Sequence, residues 1–225
     1  MNVLRLLSVC FLLTAVWACS DQPSGGISAK VEQELEPRTL APVQGPQAFQ
    51  KPFAPFIVYQ DKSSRNHFTP SGYMPTGECL ALDDGWQYDP KEGKTCVRVI
   101  YDPECSKQGR KWAGVYWQNP ADNWGDRKGG YDLKGAVRLT FWAKGEMGGE
   151  RVEEFRVGGI GQNSMYPDSD SASIGPVILT NEWKKYTIDL RGKDLSYISG
   201  GFAWTANVES NPHHCTFYLD DIRFE

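Results

Sequence analysis

Short strand-like segments separated by turn residues fill the chain after residue 52, and they constrain its fold more than any other feature. The segments are rich in β-branched and aromatic residues, alternate in polarity, and are bounded by Gly, Pro, Asn and Asp. They predict strands at Pro55–Gln60, Cys79–Asp83, Thr95–Tyr101, Trp112–Gln118, Val137–Lys144, Glu153–Val157, Trp183–Leu190, Phe202–Val208 and Thr216–Phe224. No segment of this region keeps a helical period. The sequence therefore predicts one all-β domain, residues 53–225, folded as an antiparallel β-sandwich or jelly roll.

Residues 1–18 have the features of an export signal. Arg5 precedes an apolar run from Leu6 to Trp17, and the small residue Ala18 occupies the cleavage position. The run is too short to span a bilayer as a stable helix. We therefore expect residues 1–18 to be removed from the mature protein.

Val16-Trp-Ala-Cys19 resembles the lipobox of bacterial lipoproteins. The resemblance implies that Cys19 is lipidated and becomes the new N-terminus, so that the lipid holds the protein to a membrane. Ser20 after the cysteine is compatible with delivery to the outer membrane, which places the protein in the bacterial cell envelope. The alternative is ordinary signal cleavage followed by release.

Residues 19–52 have the composition of a linker. They are rich in Pro, Gln, Ser, Ala and Gly and contain few aromatic residues. Such a segment does not bury enough apolar surface to fold, and its prolines keep it extended. We expect a flexible tether between the lipid and the domain.

The charge of the chain excludes one class of partner. Lysine and arginine number 24 against 28 acidic residues, a net charge of −4, and removal of Arg5 leaves 23 against 28, or −5. The sequence contains no run of basic residues. Nucleic acid is therefore excluded as an expected partner, because phosphate neutralisation supplies most of such binding.

Four cysteines remain after Cys10 leaves with the signal and Cys19 takes the lipid. In an exported protein an even number predicts two disulfides, and the sequence leaves all three pairings open. The absence of a Cys-x-x-Cys pair argues against zinc. The predicted disulfide-forming residues are Cys79, Cys96, Cys105 and Cys215.

The stretch Trp112–Asp126 combines three tryptophans and a tyrosine with Asn, Gln and Asp side chains. Sugars bind to surfaces that combine aromatic and polar side chains, because the apolar C–H faces of a sugar stack on aromatic rings and its hydroxyls form hydrogen bonds with polar side chains. Alternation assigns Val115, Trp117 and Trp204 to the core.

Outward-facing residues of three predicted strands are the candidate glycan contacts, and we expect them to share one sheet face. Trp124 joins them from a loop at the rim of this face. The alternatives are an ordinary solvated face with cross-strand ion pairs, or tryptophans that belong to the core. The full set is Trp112, Tyr116, Gln118, Trp124, Arg138, Trp142, Glu154 and Arg156.

The last predicted strand, Thr216–Phe224, places a carboxylate among apolar residues on either face. A buried charge needs a partner. The partner is a structural Ca²⁺, with Asp61 as a second ligand, or an arginine.

Three segments resemble the later strands of bacterial carbohydrate-binding modules of the galactose-binding-like jelly-roll class: Phe141–Glu146, Trp183–Leu190 and Phe217–Phe224. The resemblance covers roughly residues 135–225. It implies a non-catalytic, glycan-binding sandwich, in which a structural calcium is frequent. The calcium carboxylate of the last strand would correspond to Asp220, with Asp61 a looser match near the first strand.

The sequence favours a binding protein over an enzyme. It contains neither a Gly-x-Ser-x-Gly elbow nor a Gly-x-Gly-x-x-Gly loop after a strand. One alternative is a surface assembly or adhesion lipoprotein that binds protein. Another is a polysaccharide hydrolase or lyase on a jelly-roll fold, with Glu150, Glu153 and Glu154 as candidate carboxylates.

Overall fold

Two antiparallel β-sheets form the fold in the computed structural model, which describes residues 52–62, 65–105, 111–161 and 163–225. The predictions for the signal, for lipidation at Cys19 and for most of the linker lie outside these residues. Two 3₁₀ turns occupy Gly77–Cys79 and Pro103–Cys105. The strands are β1 Phe56–Tyr59, β2 Thr69–Met74, β3 Leu80–Trp86, β4 Cys96–Tyr101, β5 Trp112–Gln118, β6 Arg138–Gly145, β7 Arg151–Val152, β8 Glu154–Gly158, β9 Ser171–Ile174, β10 Val177–Ile178, β11 Lys184–Asp189, β12 Gly200–Asn207 and β13 Cys215–Phe224.

The strand order defines two sheets. Sheet A has the order β11-β6-β13-β4-β3, with β1 also paired to β13, and sheet B has the order β2-β5-β12-β8-β9. Strands β7 and β10 form a separate short pair. The all-β, antiparallel sandwich expected from the sequence is confirmed. Within the described residues, no helix has the length and apolar character needed to span a bilayer.

The core lies between the two sheets and is built from alternate residues of their strands. On sheet B, Val115, Trp117 and Trp204 are fully buried, as the alternation predicts. The ring of Phe141 on sheet A lies 5.1 Å from that of Phe202 on sheet B, which joins the two layers. Because every second residue of a strand points inward, the remaining residues point outward and form the outer face of each sheet.

The prediction of two disulfides is wrong. Cys96 and Cys215 are free and buried, and burial raises the pKa of each thiol to about 12. Cys215 pairs across the sheet with Tyr101, five residues along β4 from Cys96. That is about 17 Å at roughly 3.3 Å per residue, well beyond the span of a disulfide. Cys79 is disulfide-bonded, and the side chain of Cys105 lies outside the described part of the structure.

Candidate functional site

The outer face of sheet B carries a groove between β5 and β8. Tyr116 on β5 and Arg156 on β8 both stand opposite Ala203 of the intervening β12. Adjacent strands lie about 4.8 Å apart, so β5 and β8 are separated by about 10 Å. Tyr116 on β5 belongs to an aromatic wall and Arg156 on β8 to a charged wall, and the two walls face each other across the small side chains of β12. The cavity has a volume of about 120 Å³ and is lined by Met74, Trp112, Tyr116, Glu154, Arg156, Ala203, Trp204 and Thr205.

The aromatic wall has an exposed indole toward each end. Trp112 is 43% exposed and Trp124 is 41% exposed, whereas Tyr116 between them is buried. Tyr116 meets Trp124 edge to face, with 5.9 Å between ring centroids. Its hydroxyl donates to the carbonyl of Gly158 at 3.1 Å, and burial raises its pKa to about 12. The tyrosine is therefore a fixed apolar surface, and the two indoles offer free faces.

The charged wall is a bidentate ion pair. Nε and Nη2 of Arg156 donate to the two carboxylate oxygens of Glu154 at 3.0 and 2.7 Å. Burial works to raise the pKa of Glu154, but hydrogen bonds from Arg156 and Ser173 outweigh it and leave the pKa below its usual value. Glu154 is therefore ionised at neutral pH. Its neighbour Glu153 pairs with Arg151 at 3.0 Å and is absent from the groove lining.

Gln118, a predicted ligand contact, is instead a buried support for the loop that carries Trp124. Its side chain is inaccessible to solvent. Its Nε2 donates to the carbonyl of Asn123 at 2.9 Å, and its Oε1 accepts from the Ser71 hydroxyl at 2.9 Å. The Ser71 hydroxyl in turn accepts from the backbone N–H of Asp122 at 2.8 Å. Gln118 points to the predicted side of β5, but the turn after the strand folds back over it.

A second loop holds Trp124 from the opposite side. The Ser164 hydroxyl donates to the carbonyl of Trp124 at 3.1 Å, and the N–H of Tyr166 donates to that of Gly125 at 2.9 Å. Gly125 has φ +85°, and a Cβ there would lie 2.9 Å from that of Ser164, so the close approach requires glycine.

Asp168 fixes this second loop, and the sequence did not indicate it. The carboxylate is buried and accepts from the N–H groups of Ile160, Ser199 and Gly200 and from the Ser199 hydroxyl. Burial raises its pKa against these hydrogen bonds, which lower it. Nothing in the sequence distinguishes Asp168 from the other acidic residues, because its partners are mostly backbone groups distant along the chain.

Arg138 and Trp142 do not belong to the groove, contrary to the expected common face. Both lie on β6, which is in sheet A, so they are on the opposite side of the sandwich. Arg138 pairs with Glu225 at 2.9 Å. Trp142 is half-buried, and the ammonium group of Lys91 lies over the Trp142 ring, 4.4 Å from the ring centroid. The polar-face tryptophan thus has its partner within the chain.

Asp61 and Asp220, the predicted calcium ligands, accept hydrogen bonds from the loop between β3 and β4. Asp220 accepts from the N–H groups of Lys91 and Glu92 at 2.7 and 2.9 Å, and Asp61 accepts from those of Lys94 and Thr95 at 2.7 and 2.8 Å. A calcium ion needs six to eight oxygen ligands, whereas these carboxylates face N–H donors. The residues as arranged do not fit a calcium ion. In the described part of the chain, no group of three or more His, Cys, Asp or Glu is placed to hold a metal.

The structure is similar in fold to carbohydrate-binding modules. The family 30 module of a cellulosomal cellulase of Clostridium thermocellum is 17% identical, with a TM-score of 0.48 over 76% of this chain and 97% of that chain. The family 11 module from Clostridium thermocellum, in complex with a β-1,3-1,4-mixed-linked tetrasaccharide, is 14% identical, with a TM-score of 0.48 over 73% of this chain and 92% of that one. A mutant family 29 module is 8% identical, with a TM-score of 0.43 over 76% and 89%. No protein-family model and no curated protein matches the sequence.

Proposed function

We propose that this protein is a non-catalytic glycan-binding lipoprotein of the bacterial cell envelope, which captures a polysaccharide in the groove on sheet B. The observation that carries the proposal is a groove in which the exposed indole of Trp112 and a wall of hydrogen-bonding groups share an apolar floor. A second exposed indole, Trp124, lies outside the groove lining but packs edge to face against Tyr116 of the aromatic wall. Sugars need both surfaces at once, because each ring has an apolar face and a polar edge.

The two walls have separate parts in binding. Trp112 in the groove and Trp124 beside Tyr116 stack on pyranose rings, and Arg156 and Glu154 offer donors and acceptors to the hydroxyls at the ring edge. Each aromatic contact contributes on the order of 1 kcal/mol beyond its buried area. Two such contacts give a weak, reversible affinity, and this is suitable for a protein that is held near its ligand by an anchor.

The state of Glu154 supports binding over hydrolysis. A glycosidase needs a carboxylic acid with a raised pKa and a second carboxylate across the bond. Glu154 has a lowered pKa and is paired with Arg156, and among the residues that line the described groove it is the one carboxylate. This groove therefore has the donors to hold a sugar but not the pair of acids to cleave it.

The N-terminal part of the proposal rests on sequence. The lipobox-like Val16–Cys19 supports lipidation of Cys19, and the composition of residues 19–52 supports a flexible tether. Ser20 supports an outer-membrane location. The domain would then sample the space near the membrane surface.

The first test is alanine substitution of the two exposed indoles. We expect Trp112→Ala and Trp124→Ala each to weaken binding about fivefold, since loss of one stacking contact costs on the order of 1 kcal/mol. A glycan array with the wild type identifies a binding polysaccharide, and affinity-gel retardation then measures the variants on it.

Trp142→Ala is the matched control, because it removes the same side chain from the outer face of the other sheet. We expect its retardation to equal that of the wild type. The proposal fails if the wild type binds no glycan on the array. The assignment of the groove fails if Trp142→Ala abolishes binding while Trp112→Ala and Trp124→Ala retain it.

A further inference from the structure

The described lining of the groove on sheet B carries one negative and one positive side chain, and this pairing bears on the kind of glycan that the groove accepts. Glu154 and Arg156 are the charged residues that line it within the described part of the chain. They form a bidentate pair on one strand, with side chains 28% and 35% exposed. Both are therefore partly withdrawn from water, where a charge is screened less than at the open surface.

Resting on the proposed function, we propose that the groove selects neutral glycan chains over chains that carry uronic acids, and that Glu154 is the residue that determines this selectivity. Among the described residues that line the groove, Arg156 is the one cation, and Glu154 occupies two of its donors in the geometry that a ligand carboxylate would take.

A ligand carboxylate therefore gains little at this wall. It would meet the carboxylate of Glu154 within a few ångströms, and like charges in a partly buried site repel. The hydroxyl of a neutral sugar has no such conflict, because it accepts from the remaining N–H groups of Arg156 and donates to Glu154. The net charge, −4 for the whole chain and −5 without Arg5, acts in the same direction on the approach of a polyanion.

The test compares polysaccharides that share a backbone and differ in charge. Each neutral hexose polymer of a panel (β-glucan, mannan and galactan) is paired with its derivative oxidised at C6 to the uronate. Affinity-gel retardation of the full-length protein on each pair gives a neutral-to-uronate affinity ratio. We expect the wild type to bind the neutral member about tenfold more tightly, with little dependence on salt.

Glu154→Gln tests the cause of the selectivity. The substitution preserves shape and one hydrogen-bond acceptor but frees the charge of Arg156. We expect the affinity ratio to shift about tenfold toward the uronate polymer, and we expect the new binding to weaken as salt is added. Glu153→Gln is the matched control. It removes the same charge one residue away, where Glu153 pairs with Arg151 and is absent from the groove lining. We expect it to leave the ratio unchanged.

The outcomes separate the two proposals. If the wild type binds no polymer of the panel, this inference is overturned, and the proposed function fails with it if the wild type also binds no glycan on the array. If the wild type binds a glycan but binds the uronate member equally or more tightly, only the inference is overturned, and this measurement needs no variant. It is also overturned if Glu154→Gln and Glu153→Gln shift the ratio equally.

Discussion

At the scale of single residues, Asp220 shows how a loop stabilises a buried charge on sheet A. Its carboxylate has no solvent exposure and is held by backbone N–H groups of the loop that crosses the sheet's outer face. Burial raises its pKa to about 6, although the backbone hydrogen bonds lower it. The folded protein therefore binds this proton more tightly than the unfolded chain does.

This pKa predicts a contribution to stability with a definite sign. A raised carboxyl pKa stabilises the folded state fully below the unfolded value of 3.8, and the stabilisation is lost as the pH rises through about 6. Asp220→Asn removes this titration. We expect the stability of the wild type relative to Asp220→Asn to fall by on the order of 2 kcal/mol between pH 4 and pH 7. Urea denaturation at both pH values, in the presence of EDTA, measures it.

Asp189→Asn provides the control for this measurement. Asp189 lies on the same sheet, but hydrogen bonds from Arg191 lower its pKa to about 2. Its contribution is therefore present above its unfolded value of 3.8 and is lost only as the pH falls below that value. We expect the stability of Asp189→Asn relative to the wild type to be the same at both pH values. A pH-independent difference between the wild type and Asp220→Asn would contradict the account of Asp220.

At the scale of elements, the loop between β5 and β6 carries Trp124 of the candidate site and is held in position by side chains outside it. Trp124 is held through Asn123 by Gln118 and through its own carbonyl by Ser164. Exposed loops move unless such bonds fix them. The position of the Trp124 indole is therefore fixed by Gln118 at the end of β5 and by Ser164 in the loop between β8 and β9.

Gln118→Met tests this dependence. Methionine fills a similar volume but leaves the carbonyl of Asn123 and the hydroxyl of Ser71 without this partner. We expect glycan binding to weaken severalfold and stability to fall by about 1–3 kcal/mol, although Gln118 touches no ligand. In a double-mutant cycle, Gln118→Met should add little to Trp124→Ala, because both remove the same contact. Affinity-gel retardation and urea denaturation give the two readouts.

Thr95→Val is the control for a general loss of stability. Thr95 is a buried residue at the β3–β4 loop of sheet A, and its hydroxyl accepts from the N–H of Lys62 at 2.9 Å. We expect the variant to lose stability without losing affinity. If it weakens binding as much as Gln118→Met does, the effect of Gln118 is not specific to the loop that carries Trp124.

The elements themselves show how far the sequence predicts this protein. Each predicted strand is present, with ends that shift by a few residues, because its alternation matches a half-buried surface. Strand β2 was not predicted, since Pro70 and Gly72 in Thr69–Met74 are typical of a turn. It is an edge strand, and an edge strand has one unpaired side that tolerates proline. Strand β9, also at an edge, is made of small residues that carry a weak strand signal.

The sequence placed only some of the candidate site residues on the groove side of the sandwich, for a related reason. Alternation indicates which side of a strand a residue faces, and it placed Trp112, Tyr116, Glu154 and Arg156 correctly on outer faces. It does not indicate which sheet the strand joins. Strand β6 pairs with β11 and β13 in sheet A, so Trp142 was assigned to the wrong face of the sandwich. That pairing depends on contacts that are distant along the chain.

At the scale of the whole domain, the two outer faces differ in what covers them. The face of sheet A carries a row of alternating cations and rings: Arg98 lies 4.5 Å from the Trp86 ring, and Lys144 lies 5.1 and 5.2 Å from those of Tyr218 and Trp183. The loop between β3 and β4 adds Lys91 over Trp142. These cations and aromatic rings on the outer face of sheet A are thus paired with one another. Sheet B instead leaves two indole faces exposed beside a groove.

The proposed anchor and the groove are separate parts of the chain, and this makes the role of Cys19 testable. We expect Cys19→Ser to lose fatty-acid labelling and to move from the membrane to the soluble fraction, because the thiol is the proposed site of lipid attachment. Labelling with an alkyne fatty acid and mass spectrometry of the N-terminal peptide measure it. Cys10→Ser is the matched control, since Cys10 lies within the predicted signal and is removed with it.

The same pair of variants separates attachment from recognition. The groove is formed by residues of β2, β5, β8 and β12, and none of them is near Cys19 in sequence. We therefore expect purified Cys19→Ser to bind soluble oligosaccharide as tightly as the wild type, while cells that express it capture less insoluble polysaccharide. Two results would contradict the proposed anchor without affecting the groove. One is an unmodified Cys19 in the mature wild type. The other is a Cys10→Ser variant that leaves the membrane fraction to the same extent as Cys19→Ser. Reduced affinity of Cys19→Ser in solution would show instead that the N-terminal segment takes part in binding.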